Sequence, residues 1–350
     1  MINPTTVVNL AIIGYGDLAS SVYGPAIEVL DPEARLSGIV ELDPTRRRAA
    51  DVRFPGVPAH ISLKDLLSTT KIDGVLIATP PTTHADLAVE AFAAGLAVYV
   101  EKPLAASHED GQRIVDAWSR AATVGMVGFN YRFNTIVRDL KDSMARQEIG
   151  NVVAARTCFG LAADELPLWK RERASGGGAL LDLASHHIDL LTFVLDSQVQ
   201  EVGCSIWSDR TEDDNAMLTL TFSSQVVAQV QVSLSTADED RIEIHGQTGR
   251  LIYDRNYSER LQHTGRFSSQ IRKQLLLNRL MSFAPGSDFR EKLRSPWREP
   301  SFPRAMRNFV EAVANKESRS PDIGDGWRCL QVILAAEQAN RDRRVQEVQA

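Results

Sequence analysis

Residues 7–19 read "VVNLAIIGYGDLA". The first seven form an apolar run of strand type, and the turn after them sets Gly14, Gly16 and Ala19 in a G-x-G-x-x-A spacing, with Asp17 and Leu18 inside it. Between a strand and a helix, that spacing lets the backbone approach a pyrophosphate, whose charge the helix N-terminus stabilises. Two glycines at this distance are weak by themselves, because any tight turn uses glycine. Their context decides the reading.

Further apolar runs follow at "LSGIVEL" (36–42), "GVLIATP" (74–80), "AVYVEKP" (97–103) and "VGMVGFN" (124–130), mostly unbroken, as strands covered on both faces read. Helical segments fall between them. Three open on the Ser/Thr-x-x-Asp pattern of a capping box: Ser62 to Asp65, Thr83 to Asp86 and Ser107 to Asp110. The alternation predicts an α/β domain over 1–128 with a doubly wound parallel sheet. Glu41 ends the second strand, 22 residues after Ala19. A carboxylate there accepts hydrogen bonds from both ribose hydroxyls and repels a 2′-phosphate, so NAD is favoured over NADP. Arg46, Arg47 and Arg48 are the residues that could turn back toward a phosphate and reverse that preference.

The 350 residues suit two domains, and 43% hydrophobic with 24% charged residues is globular composition. No run approaches the roughly 18 apolar residues that span a bilayer, and the N-terminus lacks a secretory pattern, which points to a soluble, cytoplasmic chain. Cys158, Cys204 and Cys329 lie far apart without CxxC spacing, so neither a disulfide framework nor a metal site is suggested. A net charge of −6 argues against a nucleic-acid partner. Residues 255–307 nevertheless carry a local +8, leaving −14 for the rest. Within them, Ile271, Leu275, Leu276, Met281 and Phe283 with Arg272, Lys273 and Arg279 predict a basic, partly amphipathic helix. A solvated helix packed on its apolar side is the favoured reading; clamping of an anionic substrate and peripheral membrane contact by 268–283 are the alternatives.

After residue 150 the period changes. Runs at 151–160, 199–207, 216–223, 226–236 and 241–254 alternate like strands of an antiparallel sheet with one covered face, with turns at Ser224–Gln225 and Gln247–Gly249. This predicts an α+β domain over 129–350 that ends in a helix from roughly Trp327 to Arg343.

"GGGALLDLASHHIDL" (176–190) carries four titratable residues in an apolar helical pattern. Helical spacing places Asp182, His186 and Asp189 on one face, while His187 points about 100° away and reads as a satisfied core histidine. Glycines at 176–178 suit a tight turn and a close backbone approach. Lys102 follows the strand at 97, at the carboxyl edge where ligands of doubly wound sheets bind. Arg132, beside Tyr131 in "NYRF", either contacts a substrate or pairs with a core carboxylate.

"IATPPTTH" (77–84), "EKPLA" (101–105), "GFNYRF" (128–133) and "GGGALLDLASHHIDL" occur in that order, and with them the chain resembles the glucose-fructose oxidoreductase and inositol dehydrogenase (Gfo/Idh/MocA) family. The resemblance implies a Rossmann domain with cofactor contacts from the glycine turn, Glu41, Thr79, Pro80, His84, Glu101 and Lys102. It implies a catalytic group of Lys102, Asp182 and His186, substrate contacts from these with Tyr131 and Arg132, and an open sheet whose exposed face makes a homodimer or homotetramer. It also implies a final helix packed near the first domain. Ala184 stands where the family pattern has glycine. The implied activity is NAD(P)-dependent hydride transfer at a hydroxyl or keto carbon of a sugar, inositol or related polyol, including anionic or nucleotide-linked sugars. Its alternatives are a glycoside-cleaving enzyme with tightly bound NAD, and a regulatory protein that binds dinucleotide or sugar without catalysis.

Overall fold

The computed structural model describes residues 7–162, 166–256, 258, 260–265, 289–295 and 299–349. The chain divides into two compact units, one of residues up to 130 with 291–327, the other of 131–290 with 328–350.

The first unit holds six strands, β1 (Val8–Ile13), β2 (Ala34–Val40), β3 (Ala59–His60), β4 (Gly74–Ile77), β5 (Ala97–Val100) and β6 (Gly125–Val127). Their order is β3-β2-β1-β4-β5-β6 and every ladder is parallel. The order reverses between β1 and β4, which opens a crevice at the carboxyl ends of those strands. Leu10–Ile13, Val75–Ile77 and Val98–Val100 are buried without alternation, as the apolar runs require.

Two of the three expected serine or threonine caps form: Ser62 Oγ accepts from the Asp65 amide at 3.1 Å, and Ser107 Oγ from the Asp110 amide at 3.2 Å, each hydroxyl donating in turn to the aspartate carboxylate. Thr83 does not cap. A 3-10 turn at Pro81–Thr83 holds it at φ −107°, ψ −8°, away from the extended backbone a cap needs, and its hydroxyl donates to Thr79 Oγ1 and Pro80 O. An unexpected cap is Asp43, whose carboxylate accepts the Thr45 and Arg46 amides ahead of helix Pro44–Arg53.

The chain passes between the units three times, after residues 130, 290 and 327. The cause is helix Ser301–Asn315, whose Phe302, Met306, Phe309 and Val310 belong to the first unit's core cluster. The Phe302 ring meets Tyr23 edge-on at 5.7 Å, and Phe309 meets Tyr99 at 5.6 Å.

The second unit is built on an eight-stranded sheet: β7 (Val152–Ala162), β8 (Val199–Trp207), β9 (Asn215–Phe222), β10 (Val227–Ser233), β11 (Ser235–Gly246), β12 (Gly249–Asp254), β13 (Gln262–Gly265) and β14 (Gln346–Glu347). Their order is β13-β12-β11-β7-β10-β9-β8-β14. The sheet is antiparallel, as its alternating runs imply, except where β10 runs parallel to β7. Helix Ser185–Leu195 lies between β7 and β8 and adds one reversal to the β8–β9–β10 meander, so β10 arrives beside β7 in the same direction. Gln225 makes the β9–β10 turn at φ +65°. Helix Ile323–Asp342 begins in the first unit and continues into the second. No described helix is long and apolar enough to cross a membrane. The basic stretch 268–283 lies outside the described residues.

Candidate active site

In the first unit the glycine turn follows β1, and residues 17–28 are helical after it. Gly14 has φ +87°, and a Cβ on it would lie 2.5 Å from Thr79 Cγ2 and 2.9 Å from Ala78 O, so the crossing of the β1 and β4 ends admits no side chain. A Cβ on Gly16 would meet nothing within 4 Å. The turn is therefore tight against the protein at Gly14 and open at Gly16, the space a pyrophosphate needs.

Glu41 is nearly buried. Its Oε2 accepts the Tyr15 amide at 2.7 Å and its Oε1 the Asp43 amide at 2.8 Å. Each carboxylate oxygen has two acceptor positions, so the geometry remains compatible with ribose hydroxyls. Arg47 turns back on the chain and donates to Glu41 O and Leu42 O, both at 2.6 Å. Arg46 instead lines a cavity of about 390 Å³ with Tyr15, Gly16, Asp17, Ser20 and Arg53. Arg53 also pairs with Glu28 at 2.6 Å.

Glu101 and His84 spend their polar atoms on the protein. Glu101 accepts the Tyr23 hydroxyl and the Lys102 amide, and Gly128 leaves the room its carboxylate occupies, since a Cβ there would lie 2.7 Å from Glu101 Oε1. Burial, and then the Glu101 charge, push the Tyr23 phenol well above its ordinary range. The His84 imidazole is fully buried, with Nε2 2.9 Å from Thr79 O and Nδ1 3.1 Å from Pro103 O and 3.3 Å from Leu104 O. It ties the loop after β4 to the loop that carries Lys102. Burial lowers its pKa against the opposing pull of those carbonyls.

In the second unit, Asp182 and His186 do not share one uninterrupted α-helix. Leu180–Ala184 is a π turn and the α-helix proper is Ser185–Leu195. π turns insert an extra residue into a helix and are frequent at functional sites. Asp182 is buried and its Oδ2 lies 2.7 Å from Lys170 Nζ. The His186 ring stacks on Tyr131, with centroids 4.4 Å apart and planes at 18°. Arg255 lies over the same tyrosine at 4.5 Å and is paired with Asp240 at 2.7 Å. His187 is a core histidine, as its direction on the helix implied, 3.1 Å from Asp240 Oδ1. Of the two roles open to Arg132, the structure shows the ion pair: it grips Asp189 through Nε at 2.9 Å and Nη2 at 2.5 Å.

The structure thus groups Gly14, Gly16, Asp17, Glu41 and Thr79 at the ends of β1, β2 and β4, and sets Lys102 beyond β5. Tyr131, Asp182 and His186 belong to the second unit. Lys170, Tyr23 and Arg255 were not legible in the sequence, because each is joined to its partner only by folding. The single available signal was basic composition around Lys170 just ahead of the glycine run.

Comparison with known proteins decides the family. Residues 8–151 match the family described as "Oxidoreductase family, NAD-binding Rossmann fold", and residues 137–252 match the "GFO/IDH/MocA C-terminal domain". The chain belongs to the Gfo/Idh/MocA family. The first unit of this Gfo/Idh/MocA protein is an NAD-binding Rossmann domain. The chain is 32% identical over 198 residues to 1,5-anhydro-D-fructose reductase of Ensifer adhaerens, a match that covers 55% of this chain and 60% of that protein. It is 22% identical over 344 residues to myo-inositol 2-dehydrogenase of Thermotoga maritima, covering 96% and 97%. The solved structure of levoglucosan dehydrogenase in complex with NADH and levoglucosan aligns with a TM-score of 0.83 at 21% identity, over 99% of this Gfo/Idh/MocA chain and 100% of that one. At that identity the structural likeness establishes the fold.

Proposed function

We propose that this Gfo/Idh/MocA protein is an NAD-dependent dehydrogenase or reductase. It moves a hydride between nicotinamide and a hydroxyl or keto carbon of a sugar, inositol or related polyol, in the cytoplasm. The observation that carries the reading is that one chain combines an open dinucleotide turn backed by Glu41 with a π turn that presents Asp182 directly before His186.

NAD when bound supplies or accepts the hydride. The chain's own residues do the rest. Gly14, Gly16, Asp17, Leu18 and Ala19 shape the diphosphate turn, and Glu41 reads the ribose. His84 and Glu101 act through their contacts with the Lys102 loop, whereas Thr79 and Pro80 border the crevice beside Gly14. Lys102 stabilises charge on the reacting oxygen, His186 takes or returns the hydroxyl proton, and Asp182 fixes the charge beside His186. Tyr131 sets the plane of the imidazole by stacking, and Arg132 holds the helix through Asp189.

Relatives whose names state reduction of an anhydrosugar and oxidation of an inositol support a neutral polyhydroxylated substrate. Self-association through the sheet belongs to the same proposal: Trp207, Met217 and Val227, all exposed, lie on one face of β8, β9 and β10 by register. The test of the activity is the change in nicotinamide absorbance when the protein meets NAD or NADP with inositols, aldoses, anhydrosugars, sugar acids and nucleotide sugars, in both directions. Turnover of one substrate class is the expected result. Binding of NAD without turnover of any member would overturn the reading.

A further inference from the structure

The three glycines at 176–178 do more than open a helix. Gly176 and Gly178 have φ of +93° and +92°, which fold the chain sharply back. Gly177 donates its amide to Glu172 O at 3.0 Å, and a Cβ on it would lie 2.3 Å from Lys170 O and 2.9 Å from Glu172 O. The glycine run is thus pressed onto the backbone of Lys170. The same loop is fixed from other elements: Arg173 pairs with Glu337 at 2.5 Å, the Arg173 amide donates to Glu212 Oε2 at 2.7 Å, and the Glu212 amide donates to Arg171 O at 3.2 Å. At the other end, the Ala179 amide donates to Asp213 O at 2.8 Å.

A loop anchored at this many points holds its side chains in place, and the side chain it delivers to the helix is Lys170. Nζ lies 2.7 Å from Asp182 Oδ2, with the lysine side chain 26% and the aspartate side chain 8% exposed. It also lies 5.3 Å from the centre of the Trp169 ring, a second contact that holds the ammonium in place. A charge-assisted bond of this length in a water-poor setting fixes both the charge and the direction of the carboxylate.

We propose that Lys170 is a positioning residue of the active site: its ammonium keeps Asp182 ionised and oriented, and the glycine run exists to place it there. Asp182 is then an acceptor and a fixed negative charge, not a proton donor, which leaves proton movement to His186 and Lys102. The inference rests on the proposed role of Asp182 in a dehydrogenase, so its test has one arm that needs no substrate.

In that arm, thermal unfolding midpoints are measured on the full chain for wild type, Lys170→Met, Asp182→Asn and the double variant. The double variant is expected to unfold no lower than the weaker single one; additive losses would show that the side chains are not coupled and overturn the pairing. In the second arm, turnover is measured with a substrate on which wild type is active. Lys170→Met is expected to lower kcat at least about tenfold with the NADH dissociation constant within about twofold, and Lys170→Arg to recover most of the loss. Unchanged kcat in Lys170→Met, or Lys170→Arg no better than Lys170→Met, would overturn the role. If Lys170→Met does not fold, Lys170→Gln takes its place. If wild type turns over nothing, the dehydrogenase reading fails and this role fails with it, while the unfolding measurements still decide whether the pair exists.

Discussion

Glu41 shows how much a single side chain can be asked to do. Its two oxygens already hold the amides of Tyr15 and Asp43, one from the glycine turn and one from the cap of the next helix. Replacing it with alanine leaves two donors without their acceptor, at a cost of about 1–3 kcal/mol for each that stays buried. Glu41→Ala is therefore expected to lower thermal stability, weaken NAD binding and narrow the gap between NAD and NADP, since a 2′-phosphate no longer meets a carboxylate and Arg46 lines the same cavity as Gly16; calorimetry with both cofactors checks it. Lys102→Met is expected to do the reverse of a structural change. NAD affinity stays within a few fold while turnover falls more than about a hundredfold, as loss of charge stabilisation at a reacting oxygen requires. His84 adds a pH dependence. Its folded pKa is depressed by burial, so its contribution to stability is complete above the unfolded value, near 6.5, and is lost as pH falls through the folded value. The unfolding midpoint is expected to drop from about pH 7 to about pH 5, and His84→Gln is expected to flatten that slope.

At the scale of elements, the sequence is most informative where one local rule acts alone. The buried strands announced themselves as apolar runs, and Ser62 and Ser107 as caps, because each needs only neighbours in the chain. β3 is two residues long and has no pattern to read. Thr83 has the spacing of a cap, but the preceding 3-10 turn gives it the wrong backbone angles, and Asp43 caps without an acid three residues on. The π turn at Leu180–Ala184 is likewise invisible in a pattern that fits an α-helix, so the spacing of Asp182 and His186 does not give their geometry. The glycine turn allows a sharper test. Gly14→Ala is expected to destabilise the first unit, since the new methyl meets Thr79 and Ala78 at a positive φ. Gly16→Ala meets nothing, so its unfolding midpoint is expected to stay within about a degree or two of wild type while NAD binding falls at least about tenfold. Equal effects of the two substitutions would mean that the open side of the turn is not where the diphosphate lies.

Across the whole molecule, the sequence order of the chain is not the order of its cores. A single boundary near residue 128 follows naturally from the change of hydrophobic period, but periodicity reports which face of a helix is apolar and not which core receives it. Helix Ser301–Asn315 lies far along the chain and still gives Phe302, Met306, Phe309 and Val310 to the core around Tyr23 and Tyr99. Full burial of such side chains contributes about 1.5–3 kcal/mol each, and four of them together approach the roughly 5–15 kcal/mol that separates a folded domain from its unfolded chain. A fragment of residues 1–130 therefore contains every strand of the parallel sheet and lacks a share of stabilisation as large as the sheet's own margin. It is expected to be soluble poorly or to give no cooperative thermal transition. Phe309→Ala in the full chain, which opens a cavity in the same core, is expected to cost about 3–5 kcal/mol. Circular dichroism melts of both would check the assignment. A cooperatively folding 1–130 fragment, together with a near-neutral Phe309→Ala, would show that the helix leans on the first unit without completing it.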